Sequence, residues 1–208
     1  MSIEEAVWRC LEGAVERFNR SNDPATLLCP RNAEPRTRAE SVAASERAIA
    51  YRLAFYLESE LRRVGIVEDG GRIAVDCEYN RHIGATKSLA ADAADEIARI
   101  VRKARKRELE ADDDGFYVFS VAPDIVVHQR FSDADNLLVV ELKKRSNPET
   151  EDYDRLKLAL FTEEPTDHRG YGYSLGAWLV AEDECAPEQR ALKIIAQYRN
   201  GTAMVLAE

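Results

Sequence analysis

Apolar residues recur along the chain in helical and in alternating rhythms. Ile3, Val7, Cys10, Leu11, Ala14, Val15 and Phe18 keep the three- and four-residue spacing of one helix face, behind a Ser2/Glu5 capping box. This predicts a helix over residues 3–19, packed on the main body because its stripe cannot be buried alone. Pro24, Pro30 and Pro35 lie among polar residues and make residues 20–40 a connection. A second helix is expected over 41–64, with Ile49, Leu53, Tyr56, Leu57, Leu61 and Val64 inward and Gly65 after its end. Alternation of Ile73, Val75, Cys77 and Tyr79 with polar or small residues predicts a strand over 72–79.

A third helix is expected over 87–110, with Leu89, Ala93, Ile97, Ile100 and Val101 inward, stopped by the acidic loop before Gly115. Its last turns carry Arg102, Lys103, Arg105, Lys106 and Arg107, which suits the negative end of the helix dipole. Strands follow over 116–121, 125–130 and 137–143, the last two joined by a polar turn at 132–136. A helix over 152–162 and a strand over 175–181 complete the core. The final segment reads two ways: as a helix from Pro187 to Tyr198, or as a hairpin turning at Asn200-Gly201. The sum is an α/β fold with a central mixed sheet of about four to five strands flanked by helices. It forms a single domain: an N-terminal helix (1–20), a connection (21–40), a core (41–181) and a C-terminal extension (182–208).

The chain has 208 residues, 45% of them apolar and 32% charged, which excludes a disordered polymer. Its longest aliphatic run, Leu137 to Val140, is far short of the roughly 18 residues that span a bilayer. Glu4, Glu5, Arg9 and Glu12 are wrong for a signal peptide. Cys10, Cys29, Cys77 and Cys185 are scattered, with no CxxC pair and no histidine at zinc-ligand spacing. The expectation is reduced thiols in the cytoplasm. A net charge of −9 argues against coating nucleic acid through bulk charge, though a locally basic groove stays open.

The chemistry concentrates in Pro123-Asp124 and Glu141-Leu142-Lys143. On the expected strand, Leu137, Val139, Glu141 and Lys143 share one face and Leu138, Val140 and Leu142 the other. Both faces begin apolar, so the strand is central, and charges at its end need a partner or a cation. The hairpin brings Asp124 opposite residues 141–144. Two carboxylates converging on one point suit Mg²⁺, and a neighbouring lysine can orient and help deprotonate the attacking water. The structural alternative is a Glu141–Lys143 pair, with Asp124 capping the turn after Pro123. Glu46 shares the apolar face of the second helix with Ile49, Leu53 and Leu57. It is either a third acid of the site, or it stabilises the first helical turn or pairs with Arg47, Arg52 or Arg81.

Over residues 41–181 these motifs resemble the PD-(D/E)xK nuclease superfamily, with its restriction-endonuclease-like fold. The acid begins one hydrophobic strand and E-x-K ends the next, and Glu46 lies on a preceding helix; the helix over 87–110 is an insertion. The Glu78-Tyr79-Asn80-Arg81 segment and residues 136–144 also resemble uncharacterised bacterial members. The resemblance implies a metal-dependent nuclease that hydrolyses phosphodiester bonds. Asp124, Glu141 and the Leu142 carbonyl would hold Mg²⁺, with Mn²⁺ able to substitute. Lys143 would position the water and Glu46 would support the site. The implied partner is nucleic acid, DNA before RNA, with no membrane and with a homodimer or protein partner left open. The other reading is a protein of the same fold that binds nucleic acid or a partner without cleaving.

Further polar residues each have a plain structural reading beside a functional one. Asp76 and Glu78 are solvated or auxiliary to the site. His128 and Arg130 are sheet polarity or substrate contacts. The basic run at 102–107 is a solvated helix end or a phosphate track. Tyr171-Gly172-Tyr173 is a turn before a strand or a base-stacking pair.

Overall fold

A computed structural model describes residues 1–28, 44–82, 85–86, 88–92, 95–105, 113–165 and 170–206. Helix α1 (Ile3–Arg20) starts at the expected capping box: Glu5 N donates to Ser2 Oγ at 3.1 Å, and Ser2 N donates to Glu5 Oε2 at 2.9 Å. Its buried face is the predicted stripe except Ile3, which is exposed in the first turn. Within the expected connection, Pro24 starts a short helix, α2 (Asp23–Leu27), where proline's fixed φ suits a first turn. Helix α3 (Glu46–Arg63) begins later than expected because Ser45 caps it, its hydroxyl accepting from Ala48 N. Residues 41–43 of the predicted helix lie outside the described residues.

Next come β1 (Ile73–Cys77), the short pair β2 (Arg81–His82) and β3 (Ala85–Thr86), β4 (Ser88–Asp92), α4 (Asp95–Arg105) and β5 (Phe116–Ser120). They are followed by β6 (Ile125–Gln129), β7 (Asn136–Lys144), α5 (Glu151–Thr162), β8 (Leu175–Glu182), β9 (Ala191–Arg199) and β10 (Thr202–Val205). The main sheet has six strands in the order β1-β6-β7-β8-β9-β10, more than the sequence pattern predicts. Its extra strands come from the tail, which forms the hairpin turning at Asn200-Gly201 and not a helix to Tyr198. Residues 191–205 are therefore part of the sheet and not an appendage. All pairs are antiparallel except β7 with β8, whose crossover is α5.

The helix predicted over 87–110 is half strand. Its first turns pair with β5 as a separate two-stranded sheet, Leu89 opposite Phe119 and Ala90 opposite Val118. Alanines favour a helix locally, but burial of Leu89 and Ala90 in this pairing outweighs that small preference. Residues 106–110 of that prediction lie outside the described residues.

Strand parity divides the interior into two layers. On one face, α1 and α3 pack Leu11, Phe18, Leu53 and Leu57 against Ile125, Val127, Leu138, Val140, Leu142 and Leu179. On the other, Phe161 of α5 and Leu89 and Phe119 of the small sheet join Val126, Val139, Trp178 and Val180. Every residue of β7 is buried, so it is the central strand expected. One departure is Leu137. Val127 pairs with Leu138 and His128 with Asn136, so Leu137 is the extra residue of a bulge. It consequently joins the core of Leu138 and not that of Val139. Gly176 sets the seat of α5: a Cβ there would lie 2.9 Å from Tyr198 Cβ and 3.1 Å from Thr162 Cγ2.

Candidate functional site

The last paired residues of β6 and β7 are Ile125 and Val140, which leaves Asp124 and Glu141 at the adjoining ends of both strands. Leu142 N, the amide between Glu141 and Lys143, donates to Asp124 Oδ2 at 2.7 Å. A carboxylate thus takes the place of the next ladder acceptor and ties the two strand ends together.

Parity then sends Glu141 and Lys143 toward α5, the side of Val139. Lys157 Nζ of α5 lies 2.8 Å from Glu141 Oε2 and 2.9 Å from Asp154 Oδ1. Lys143 Nζ lies 3.3 Å from Asp154 Oδ2 and 3.2 Å from Glu46 Oε2. Glu46, first residue of α3, also accepts from Lys144 N at 3.1 Å and Asn147 Nδ2 at 3.2 Å through Oε1. The Lys144 ammonium is held by buried Asp183 at 3.1 Å, whereas that of Lys143 meets Glu46 and Asp154. Glu46, Glu141 and Lys143 therefore belong to one ionic chain through Asp154 and Lys157, and Asp124 faces it. The proposed Glu141–Lys143 pair is replaced by these partners.

Two acids of the cluster are held above their ordinary range, chiefly by burial. Burial pushes the Asp124 carboxyl up to about 6; Lys157 and the Leu142 amide pull it down, and Asp154 and Glu46 push it further up. Burial likewise pushes Glu141 well above the usual carboxylate range, with Lys157 opposing and Asp124 and Asp154 adding repulsion. Glu141 Oε1 is buried with no hydrogen-bond partner among the described residues. Burial works against charge on Lys143 and Lys157, but the surrounding carboxylates hold both above the ordinary lysine value. Both are ammonium groups near neutrality.

Among the described residues no group of three or more His, Cys, Asp and Glu side chains is gathered tightly enough to hold an ion on its own. The lysines interleave with the acids, which leaves Asp124 and Glu141 as the pair at the strand ends. Both are hard oxygen donors, the ligand type that Mg²⁺ takes one or two of while keeping its waters.

Asp154 and Lys157 are absent from the sequence reading. Their signal lies in the spacing: Asp154, Lys157, Leu158 and Phe161 follow the i, i+3, i+4, i+7 rule of a buried helix face. The secondary candidates lie elsewhere. Asp76 accepts from both Arg130 and His128, which outweigh burial and hold its carboxyl far below the usual range. Glu78 pairs with Arg47. Tyr171 and Tyr173 are buried against Phe161 and offer no stacking face. Of the basic run, Arg102 reaches the Tyr117 hydroxyl, and residues 106 and 107 lie outside the described residues. Cys10, Cys77 and Cys185 are free thiols, and Cys29 is outside the described residues. No helix among the described residues is long and apolar enough to cross a membrane.

No family model matches the chain, and no curated protein or solved structure matches it either.

Proposed function

We propose that the chain is a metal-dependent nuclease with a restriction-endonuclease-like fold, hydrolysing phosphodiester bonds of DNA in preference to RNA. One observation carries the reading. Four carboxyl groups (Glu46, Asp124, Glu141 and Asp154) share the end of the central strands with two ammonium groups, so the acids outnumber their cationic partners by two. A divalent cation would relieve that imbalance by letting the buried acids ionise, and the orphaned Glu141 oxygen would be a ligand for it. Asp124, Glu141 and the Leu142 carbonyl would hold Mg²⁺ or Mn²⁺.

When bound, the ion would polarise the phosphodiester and stabilise charge building on it. Lys143, kept protonated by Asp154 and Glu46, would donate a hydrogen bond that orients the attacking water, whose proton would pass to solvent and not to Lys143. Glu46 positions Lys143 and also anchors the strand end through Lys144 N. Lys157, itself paired with Asp154, fixes Glu141.

Incubation with plasmid, linear duplex, single-stranded DNA and RNA, with Mg²⁺, with Mn²⁺ and with chelator, tests the proposal. Metal-dependent cutting that disappears in Glu141→Gln supports it; no cutting of any substrate at millimolar metal sinks it. The second reading, a silent nuclease fold that binds nucleic acid or a partner protein, has its own support in Lys157. That ammonium already compensates Glu141 and would make the ion dispensable.

A further inference from the structure

Helix α3 presents a row of residues that neither its packing nor the acidic cluster uses. Arg47, Tyr51 and Phe55 follow at four-residue spacing, so neighbouring side chains stand about 6 Å apart along the outer surface. Tyr51 and Phe55 are 51% and 57% exposed, on a helix whose remaining apolar residues are mostly buried. The row begins beside Glu46 and so starts at the candidate site. Behind it, between α1 and α3, lies an open groove of about 630 Å³ lined by Arg17, Arg20, Arg52, Arg63, Phe55 and Tyr56.

Two of the groove's guanidinium groups lie over its rings. Arg52 Cζ is 5.6 Å from the Phe55 ring centre and 4.8 Å from that of Tyr56, and Arg17 Cζ is 4.7 Å from the Tyr56 centre. Charge alone does not explain the face, because Arg20, Arg47, Arg52 and Arg63 pair with Glu16, Glu78, Asp23 and Glu60. Arg17 donates to the Ser59 hydroxyl and pairs with no carboxylate among the described residues. A ligand must therefore combine flat faces for the exposed rings with widely spaced negative charges for the few free guanidinium edges. Unpaired nucleotides have both, whereas a duplex hides its base faces.

We propose that this face binds single-stranded nucleic acid. Successive bases stack on Tyr51 and Phe55, one phosphate meets Arg17, a second meets Arg47 in exchange for its exposed Glu78 pair, and the strand leads toward the Glu46 end of the acidic cluster. The destination rests on the nuclease reading; the binding itself does not.

Fluorescence anisotropy of a fluorescein-labelled dodecamer of thymidylate, in chelator so that no cleavage intervenes, separates the two. Saturable binding is expected, weakened about tenfold or more in Tyr51→Ala/Phe55→Ala. Phe55→Trp should bind as well as the unaltered protein. The logarithmic salt dependence should be shallow, with a slope of about −1, since one or two phosphates are neutralised. Both altered side chains are exposed, so the urea midpoint should not move. The proposal is overturned if the unaltered protein binds no oligonucleotide, if the double variant binds equally well, or if a duplex of equal length binds as tightly. It is also overturned if the double variant loses only self-association in sedimentation. Binding lost in the double variant, from a protein that cuts nothing with Mg²⁺, would end the nuclease reading and leave this surface standing. Cutting with unchanged binding would do the reverse.

Discussion

Lys157 and Glu141 form an ion pair at 2.8 Å with both side chains buried, one on a helix and the other on the central strand. Neither residue is near water, so each is the main reason that the other can carry charge. Lys157→Met should cost about 3–5 kcal/mol in metal-free solution near pH 8, because it strands a buried carboxylate. The double variant Lys157→Met/Glu141→Leu should recover most of that loss. Urea denaturation of the three proteins measures the coupling, and simple additivity would rule out the pair as the source of the cost.

Asp124 makes stability depend on pH with a definite sign. Its folded value is about 6 against an ordinary 3.8, so folding favours the protonated form. The stabilisation is complete below about pH 4 and is lost as pH rises through about 6. Each pH unit between those two values is worth about 1.4 kcal/mol, so the loss is at most on the order of 3 kcal/mol. Asp124→Asn keeps an acceptor for Leu142 N and should flatten this fall between pH 4.5 and 7.5, which urea midpoints at both pH values would reveal. An unchanged pH profile in the variant would mean that another group titrates.

A divalent ion should raise the melting temperature, by an amount set by RT ln(1 + [L]/Kd), or about 2.7 kcal/mol at 100 times Kd. Asp124→Asn and Glu141→Gln should each abolish that rise. Lys143→Ala should retain it while losing cleavage, since Lys143 acts on the water and not on the ion. If metal leaves every melting curve unmoved, the silent-fold reading gains.

Gly176→Ala tests the seat of α5. A Cβ 2.9 Å from Tyr198 Cβ forces β8, β9 and the end of α5 apart. A destabilisation of about 1–3 kcal/mol is expected from overpacking, measured by urea denaturation. A neutral substitution would show that α5 has slack to move.

The end of β7 is legible in the sequence because a run apolar on both faces that then turns charged violates the cost of burying charge. The hairpin spacing likewise locates Asp124 beside it. Asp154 and Lys157 are harder to see: their segment is rich in charge, and only their spacing relative to Leu158 and Phe161 marks them as inward. Ser88–Asp92 misleads for a different reason. Its alanines carry no strand signal, and its partner β5 is distant in the chain, so pairing energy decides what local propensity cannot. The tail is ambiguous for the same cause, since β9 takes its strand form from the neighbouring β8.

The bulge at Leu137 bears on how this sequence could change over time. Below it, β7 is locked to β8 through seven consecutive partners, from Leu138 with Leu175 to Lys144 with Ala181. The orientation of Glu141 and Lys143 is therefore set downstream of the bulge. An insertion or deletion in the 131–135 turn can be absorbed at Leu137 before it turns the acidic strand end over. The loop upstream is free to vary in length among descendants of this chain, while the spacing from Leu138 onward is not.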